Sequence, residues 1–432
     1  MAYFYLPDSR QRAELEKEGF RRYGHVPFLL DNELNYLDDL CRFLRERAVG
    51  EWNPSKGMSD SYSYREPISE NSIVAYARDL ENFWTYVEAT SLPWRTISYT
   101  GLLESYDTDL GNGRWSRSGN KLAASTINRR VDRAVEFLSW AAEKGIRQAF
   151  PVTTKTVSRS IYDGRSANPG AKSIEVRTGK RRIQKSQMRL PTRTEIDIWL
   201  SEIEVRRGKP LRLACETVIE TGMRRQELIL LRKDQLPDPE DVPLDKPAKM
   251  RISFGTKGKR RPGDGEQRGK ARTLRFDRDF LVRLNNYKQL RRQKALATYS
   301  KRNPGKPHPK ELFLDESTGE PFSATQIYLA WTRVKNLPFD GFSPHRGRHA
   351  FACFTLLRLL DEEAGLLEAS RKTLPRSAVM QSAETLIKTY IQPALGHVSD
   401  QTTELYLEWI ADHLWVMKHR LSWADELEGK NV

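Results

Sequence analysis

Cysteine is scarce in this chain of 432 residues, with only three copies. Cys41, Cys215 and Cys353 are odd in number, far apart and set among apolar residues, as in Leu213-Ala214-Cys215 and Phe351-Ala352-Cys353-Phe354. That pattern argues against a disulfide framework and predicts buried free thiols in a reducing cytoplasm. Long apolar runs are also missing, and no stretch approaches the length of a membrane span. The N-terminus places Arg10, Arg12, Glu14, Glu16 and Lys17 where a secretory leader would need an apolar core. The expectation is a soluble, cytoplasmic protein. Acidic charge is in deficit: 57 Asp and Glu face 72 Lys and Arg, leaving a formal charge of +15 and a pI of about 9.6. Such a surface suits a nucleic-acid partner, with double-stranded DNA the natural counter-surface, although a basic pI can also serve solubility alone.

The length predicts more than one domain. Residues 1–55 read as an N-terminal extension, polar and irregular to about 28, with a first helix over about 31–49 carrying Leu37, Leu40, Cys41 and Leu44. Residues 56–150 read as a small helical domain. Its helix over about 70–89 sets Ile73, Tyr76, Leu80, Phe83 and Val87 on one stripe with Ser69 as N-cap, and another over about 125–144 carries Ile127, Val131, Ala134, Leu138 and Ala141. A shorter helical piece lies near 100–110. Arg129, Arg130 and Arg133 give this domain a basic face suited to DNA or simply to solvent. Residues 151–190 form a basic linker that includes Arg181 and Arg182 and reads as a strap across a phosphate backbone, a plain tether, or both.

Residues 191–432 form the second domain. It opens on a capping-box pattern at Thr192 and Glu195, continues in a helix over about 209–221, and holds two short strands near 250–254 and 271–276 around a Gly- and Lys-rich loop. The fold class expected overall is mainly α with a small β-sheet.

The chemistry concentrates in this second domain. Arg224 lies in Thr221-Gly222-Met223-Arg224-Arg225-Gln226-Glu227-Leu228, His345 and Arg348 in Pro344-His345-Arg346-Gly347-Arg348-His349, His397 after Leu395-Gly396, and Tyr406 nine residues beyond His397. Arginine forks can hold a phosphodiester and stabilise its pentacoordinate transition state, histidines can move protons, and a tyrosine phenol can attack phosphorus once a base is in reach. Five of the seven histidines lie at or beyond position 345. The spacing of Arg224 to Glu227, and of His345 to Arg348, predicts that each pair shares a face of a helical turn. Glu227 then either orients Arg224 or stays inert on the surface. His349, under Ala350-Phe351-Ala352, reads as structural. Tyr406 alone, among Leu405, Leu407, Trp409 and Ile410, would read as a packed core aromatic.

The joint order and spacing of these boxes resembles the tyrosine recombinase (phage integrase) family, over roughly residues 60 to 415. The resemblance implies a helical core-binding domain that clamps DNA and a C-terminal catalytic domain. It assigns Arg224 and Arg348 to the scissile phosphate, His345 as general acid and base, His397 as a phosphate donor and Tyr406 as nucleophile, forming a 3′-phosphotyrosyl bond with no ATP, metal or other cofactor. In the family a hairpin lysine protonates the leaving 5′ oxygen; Lys257 matches best, with Lys259 and Lys270 as rivals. The resemblance also implies a homotetramer on two duplexes, with a tail after Tyr406 that docks on a neighbouring protomer and with accessory or sister proteins. It suggests a mobile-element enzyme for integration, excision or transposition. A type IB topoisomerase would share the chemistry, and a catalytically silent DNA-binding accessory factor would share the fold.

Overall fold

The computed structural model describes residues 2–54, 68–116, 119–160, 171–183, 188–256, 268–366, 375–396 and 401–416. Among them the chain is mainly helical, with three two-stranded antiparallel sheets. It divides into two units, Met1–Lys185 and Ser186–Val432. No helix of the described residues is long and apolar enough to cross a membrane.

The first unit begins with β1 (Tyr3–Tyr5), α1 (Ser9–Lys17), β2 (Phe28–Leu30) and α2 (Asp38–Val49). Helix α1 buries no residue and so lacks the apolar period that reveals a helix in sequence; it is started instead by a capping box. Asp8 accepts the Gln11 amide at 2.8 Å, and Gln11 accepts the Asp8 amide at 2.9 Å. Helix α2 starts at Asp38 rather than near 31, because Asp31 gathers the amides of Glu33 and Asn35, both at 2.8 Å, and Leu34 takes φ +67°. Those bonds commit the segment to a turn.

Helix α3 (Glu70–Thr90) is capped by Ser69 as its sequence predicts. The short helices α4 (Tyr99–Leu102) and α5 (Thr108–Asn112) flank a π-helical turn, and α6 (Ala124–Glu143) closes the bundle. Phe43, Leu80, Phe83, Phe137 and Trp140 are fully buried in one core that also takes Val26, Leu29 and Leu40. Residues from Val26 to Trp52 thus share the core of the bundle. Trp140 ties α6 to α2 by donating its indole N–H to Glu46 at 2.9 Å.

In the basic segment after this bundle, residues 154–160 and 171–177 form a hairpin. Strand β3 (Thr154–Ser160) pairs with β4 (Ala171–Arg177) from Thr154 opposite Arg177 to Ser160 opposite Ala171. Arg177 is buried in an ion pair with Asp132, Tyr99 donates to the Thr178 carbonyl at 2.6 Å, and Arg181 pairs with Asp107 at 2.6 Å. Carboxylates of the bundle thus engage arginines that a count of charge along the chain treats as free.

The second unit opens with α7 (Arg193–Arg207), begun by the Thr192 and Glu195 capping box, followed by α8 (Lys209–Thr221) and α9 (Arg225–Ile229). Strands β5 (Ala248–Phe254) and β6 (Arg268–Phe276) form the expected hairpin and run longer than the sequence suggests. Then come α10 (Arg278–Gln289), α11 (Arg291–Arg302), α12 (Ala324–Thr332), α13 (Pro344–Leu366), α14 (Arg376–Leu386), α15 (Gln392–Leu395) and α16 (Gln401–Ala411). Trp199 and Trp331, with ring centroids 4.4 Å apart, centre one core. Phe351, Leu356, Ile387, Ile391, Leu395 and Ile410 form another across α13 to α16.

Replacing Trp140 by alanine should lower stability by about 3–5 kcal/mol, because it opens a cavity and strips Glu46 of a buried donor. Urea unfolding followed by circular dichroism should show an earlier first transition for the variant.

Candidate functional site

The site forms where helix ends leave backbone carbonyls without partners. Helix α8 stops at Gly222, whose φ of +63° is a left-handed cap; a Cβ there would lie 2.4 Å from the Phe351 ring. Its free carbonyl accepts from Arg348 Nη1, and the Leu395 carbonyl at the end of α15 accepts from Arg348 Nη2. The neighbouring Gly396 carbonyl accepts from Arg224 Nη2 at 3.0 Å. Two helix C-termini, each with a partial negative charge, thereby aim two guanidinium groups.

Glu227 sits between them, fully buried. Its Oε1 accepts from Arg224 Nη1 at 2.8 Å and its Oε2 from the Arg224 amide at 2.7 Å. Arg224 is the N-cap of α9 in extended backbone, so the pair meets through a cap and not across a helical face as the spacing predicts. Glu227 Oε2 also accepts from Arg272 Nη2 at 2.5 Å and lies 4.0 Å from Arg348 Nη1. Burial alone would raise this carboxyl; Arg272, followed by the Arg224 amide and charge, holds it below the usual carboxylate range. Burial, then the charges of Arg224 and Arg272, push Arg348 down to about 9. Three guanidinium groups against one carboxylate leave the cluster two positive charges in excess. An anion placed there would relieve that repulsion.

Arg272 is a residue that the motifs do not reveal. It lies on β6 opposite Ile252, and its face of the strand continues through buried Leu274 and Phe276. An arginine at an inward strand position was the available signal, since a buried charge needs a partner. Its Nη1 is buried and makes no hydrogen bond within the described residues.

Helix α13 carries the second half of the site. Gly347 allows its close approach to α12, because a Cβ there would come within 2.5 Å of the Trp331 ring. His345 is exposed, whereas His349 one turn on is buried. His349 Nε2 lies 3.2 Å from His345 Nε2, and His349 Nδ1 lies 3.0 Å from the Tyr406 hydroxyl. Tyr406 is 1% exposed on α16, and burial, with Cys353 adding to it, pushes its phenol up against the pull of Arg348. Burial, then His345, Arg346 and Arg348, hold His349 down to about 4.

Of the residues expected from sequence, Arg224, Glu227 and Arg348 meet in one cluster, and His345 and Tyr406 meet through His349. Arg225 stacks 5.5 Å from the Tyr328 ring centroid instead of joining them. Lys257, Lys259 and His397 lie outside the described residues, as does the side chain of Lys270. In the first unit, Arg129 clamps Asp79 with two bonds of 2.9 Å, and Arg130 lines a cavity of about 780 Å³ with Arg78, Arg114 and Trp115. Arg181 is held by Asp107 and Arg182 is exposed. Among the described residues, no group of three or more His, Cys, Asp or Glu side chains is placed to hold a metal ion.

No protein-family profile and no curated protein matches the sequence. Solved structures similar to the chain are tyrosine recombinases. XerH site-specific recombinase bound to its difH substrate is 17% identical over 78% of this chain and 77% of its own, with a TM-score of 0.44. The Tn1549 transposon integrase in complex with circular intermediate DNA is 14% identical over 79% of this chain and 91% of its own, at 0.45. A lambda integrase dimer bound to a COC′ core site is 12% identical over 79% and 90%, at 0.42.

The neutral, buried His349 gives a pH signature. Its unfolded form takes up a proton near 6.5 and its folded form only near 4, so between these values the unfolded chain binds more protons and stability falls as pH falls. Urea midpoints measured from pH 7 to pH 4.5 should show a loss of which about 2 kcal/mol belongs to His349 and is removed by His349→Gln.

Proposed function

We propose that this chain is a site-specific DNA recombinase of the tyrosine type, which cleaves and rejoins strands through a 3′-phosphotyrosyl intermediate in DNA integration, excision or transposition. The observation that supports it is the excess positive charge of Arg224, Arg272 and Arg348 around Glu227, with Arg348 on the same helix as His345 and as His349, whose Nδ1 bonds the Tyr406 hydroxyl. Such a cluster favours the dianionic, pentacoordinate phosphorane over the monoanionic diester, because the extra charge develops where preorganised donors already point.

In this reading Arg224 and Arg348 take the non-bridging oxygens and His397 adds a hydrogen bond. Tyr406 attacks phosphorus, its proton leaves towards His345, and Lys257 protonates the departing 5′ oxygen. The phosphotyrosyl bond stores the energy of the diester, so a 5′-hydroxyl of a partner strand reverses the step without ATP or a metal. Arg130 and Arg182 serve the phosphate backbone, which makes binding salt-sensitive, while Arg129 and Arg181 stay paired with Asp79 and Asp107 beside them. Four protomers on two duplexes supply the four tyrosines that a complete exchange needs, with accessory or sister proteins choosing the direction.

Incubation with the DNA that flanks its own gene, stopped with detergent, should give a protein-linked DNA band with the wild type and none with Tyr406→Phe. Loss of the band should accompany Arg224→Ala while duplex binding in a gel shift persists. A band of equal strength from Tyr406→Phe would remove Tyr406 as the nucleophile.

The same adduct assay reports on the third arginine. Arg272→Ala leaves Glu227 with two guanidinium partners in place of three, so adduct formation should slow by about 10²-fold or more with the gel-shift affinity nearly unchanged.

A further inference from the structure

Resting on that reading, we infer that His349, and not His345, is the group that takes the phenolic proton directly, and that His345 receives it second-hand. The geometry is a line of three groups on two helices: the Tyr406 hydroxyl 3.0 Å from His349 Nδ1, and His349 Nε2 3.2 Å from His345 Nε2. The two imidazoles meet edge to face with centroids 4.6 Å apart, an arrangement set by their spacing of one turn on α13. One tautomer satisfies all three groups at once. Tyr406 donates to Nδ1 of His349, and Nε2–H of His349 donates to Nε2 of His345.

The transfer balances along this line. As the phenolic oxygen bonds to phosphorus, its proton moves to Nδ1 of His349, and the Nε2 proton of His349 moves to Nε2 of His345. His349 ends neutral in its other tautomer, and His345 ends as an imidazolium. The phosphorus–O5′ bond breaks with its electron pair on O5′, which takes a proton from Lys257.

Burial explains the division of labour. The groups around His349 are His345, Arg346 and Arg348 on its own helix and Tyr406 on α16, and the three on its own helix disfavour a positive charge on it. A site that cannot hold a proton passes it on. His345 is exposed and can hold it against the phosphate or release it to water.

The test is the pH dependence of adduct formation on a duplex from the gene's own flank, with the cleavage position mapped first. His349→Gln keeps a side chain of similar length that cannot relay a proton. It should slow adduct formation about 10²- to 10³-fold at pH 7, with a rate that then climbs about tenfold per pH unit towards pH 9, while the wild-type profile flattens. His349→Ala should recover part of its rate when free imidazole is added, and His349→Gln should not. Adduct formation by His349→Gln at the wild-type rate overturns the inference, and so does a loss with the wild-type pH profile and no imidazole rescue. A variant faster than wild type also overturns it, by showing that the bond restrains Tyr406. A wild type that forms no adduct at all removes the strand-transfer reading, and the inference falls with it.

Discussion

The second unit depends on burying the Glu227 carboxylate among three arginines. A buried carboxylate costs several kcal/mol unless its lone pairs are met, and here Arg224 and Arg272 meet them through four hydrogen bonds. The arginines in turn require acceptors, and those are the terminal carbonyls of α8 and α15. One small anion therefore fixes the loop after α8, the strand β6, the start of α13 and the end of α15 with respect to each other. Removing it would leave three positive charges crowded together with no carboxylate among them.

The same arrangement keeps the cluster short of negative charge. Backbone carbonyls satisfy hydrogen bonds of Arg224 and Arg348 without neutralising them, so these two are held in place while the cluster stays electrostatically in deficit. That combination separates the task of holding the arginines still from the task of balancing them. Preorganised groups of this kind need no rearrangement when charge develops nearby.

Much of this was legible in the sequence because it follows from spacing. The apolar stripes of α3 and α6, the Ser69 cap and the Thr192 capping box needed only local pattern, and each stands where that pattern put it. What was illegible either lacked an apolar period or depended on partners distant in the chain. Helix α1 has no apolar face to betray it, and the β3–β4 hairpin is anchored by Asp132 and Asp107, which lie dozens of residues from the arginines they hold. In the site, the motifs supplied Arg224, Glu227, Arg348, His345 and Tyr406. Arg272 belongs to no motif and is explained only by Glu227. His349 reads as structural from its apolar neighbours, and only the fold shows that its two ring nitrogens face His345 and Tyr406.

The contact of Gly347 with Trp331 has a consequence for how such a sequence can drift. Position 347 has no room for even a methyl group while an indole stands opposite it, and it lies between His345 and Arg348 on α13. The two positions are therefore a coupled pair. A side chain can arise at 347 only in a lineage that has first shrunk the ring at 331, and close homologues should vary at both places together or at neither.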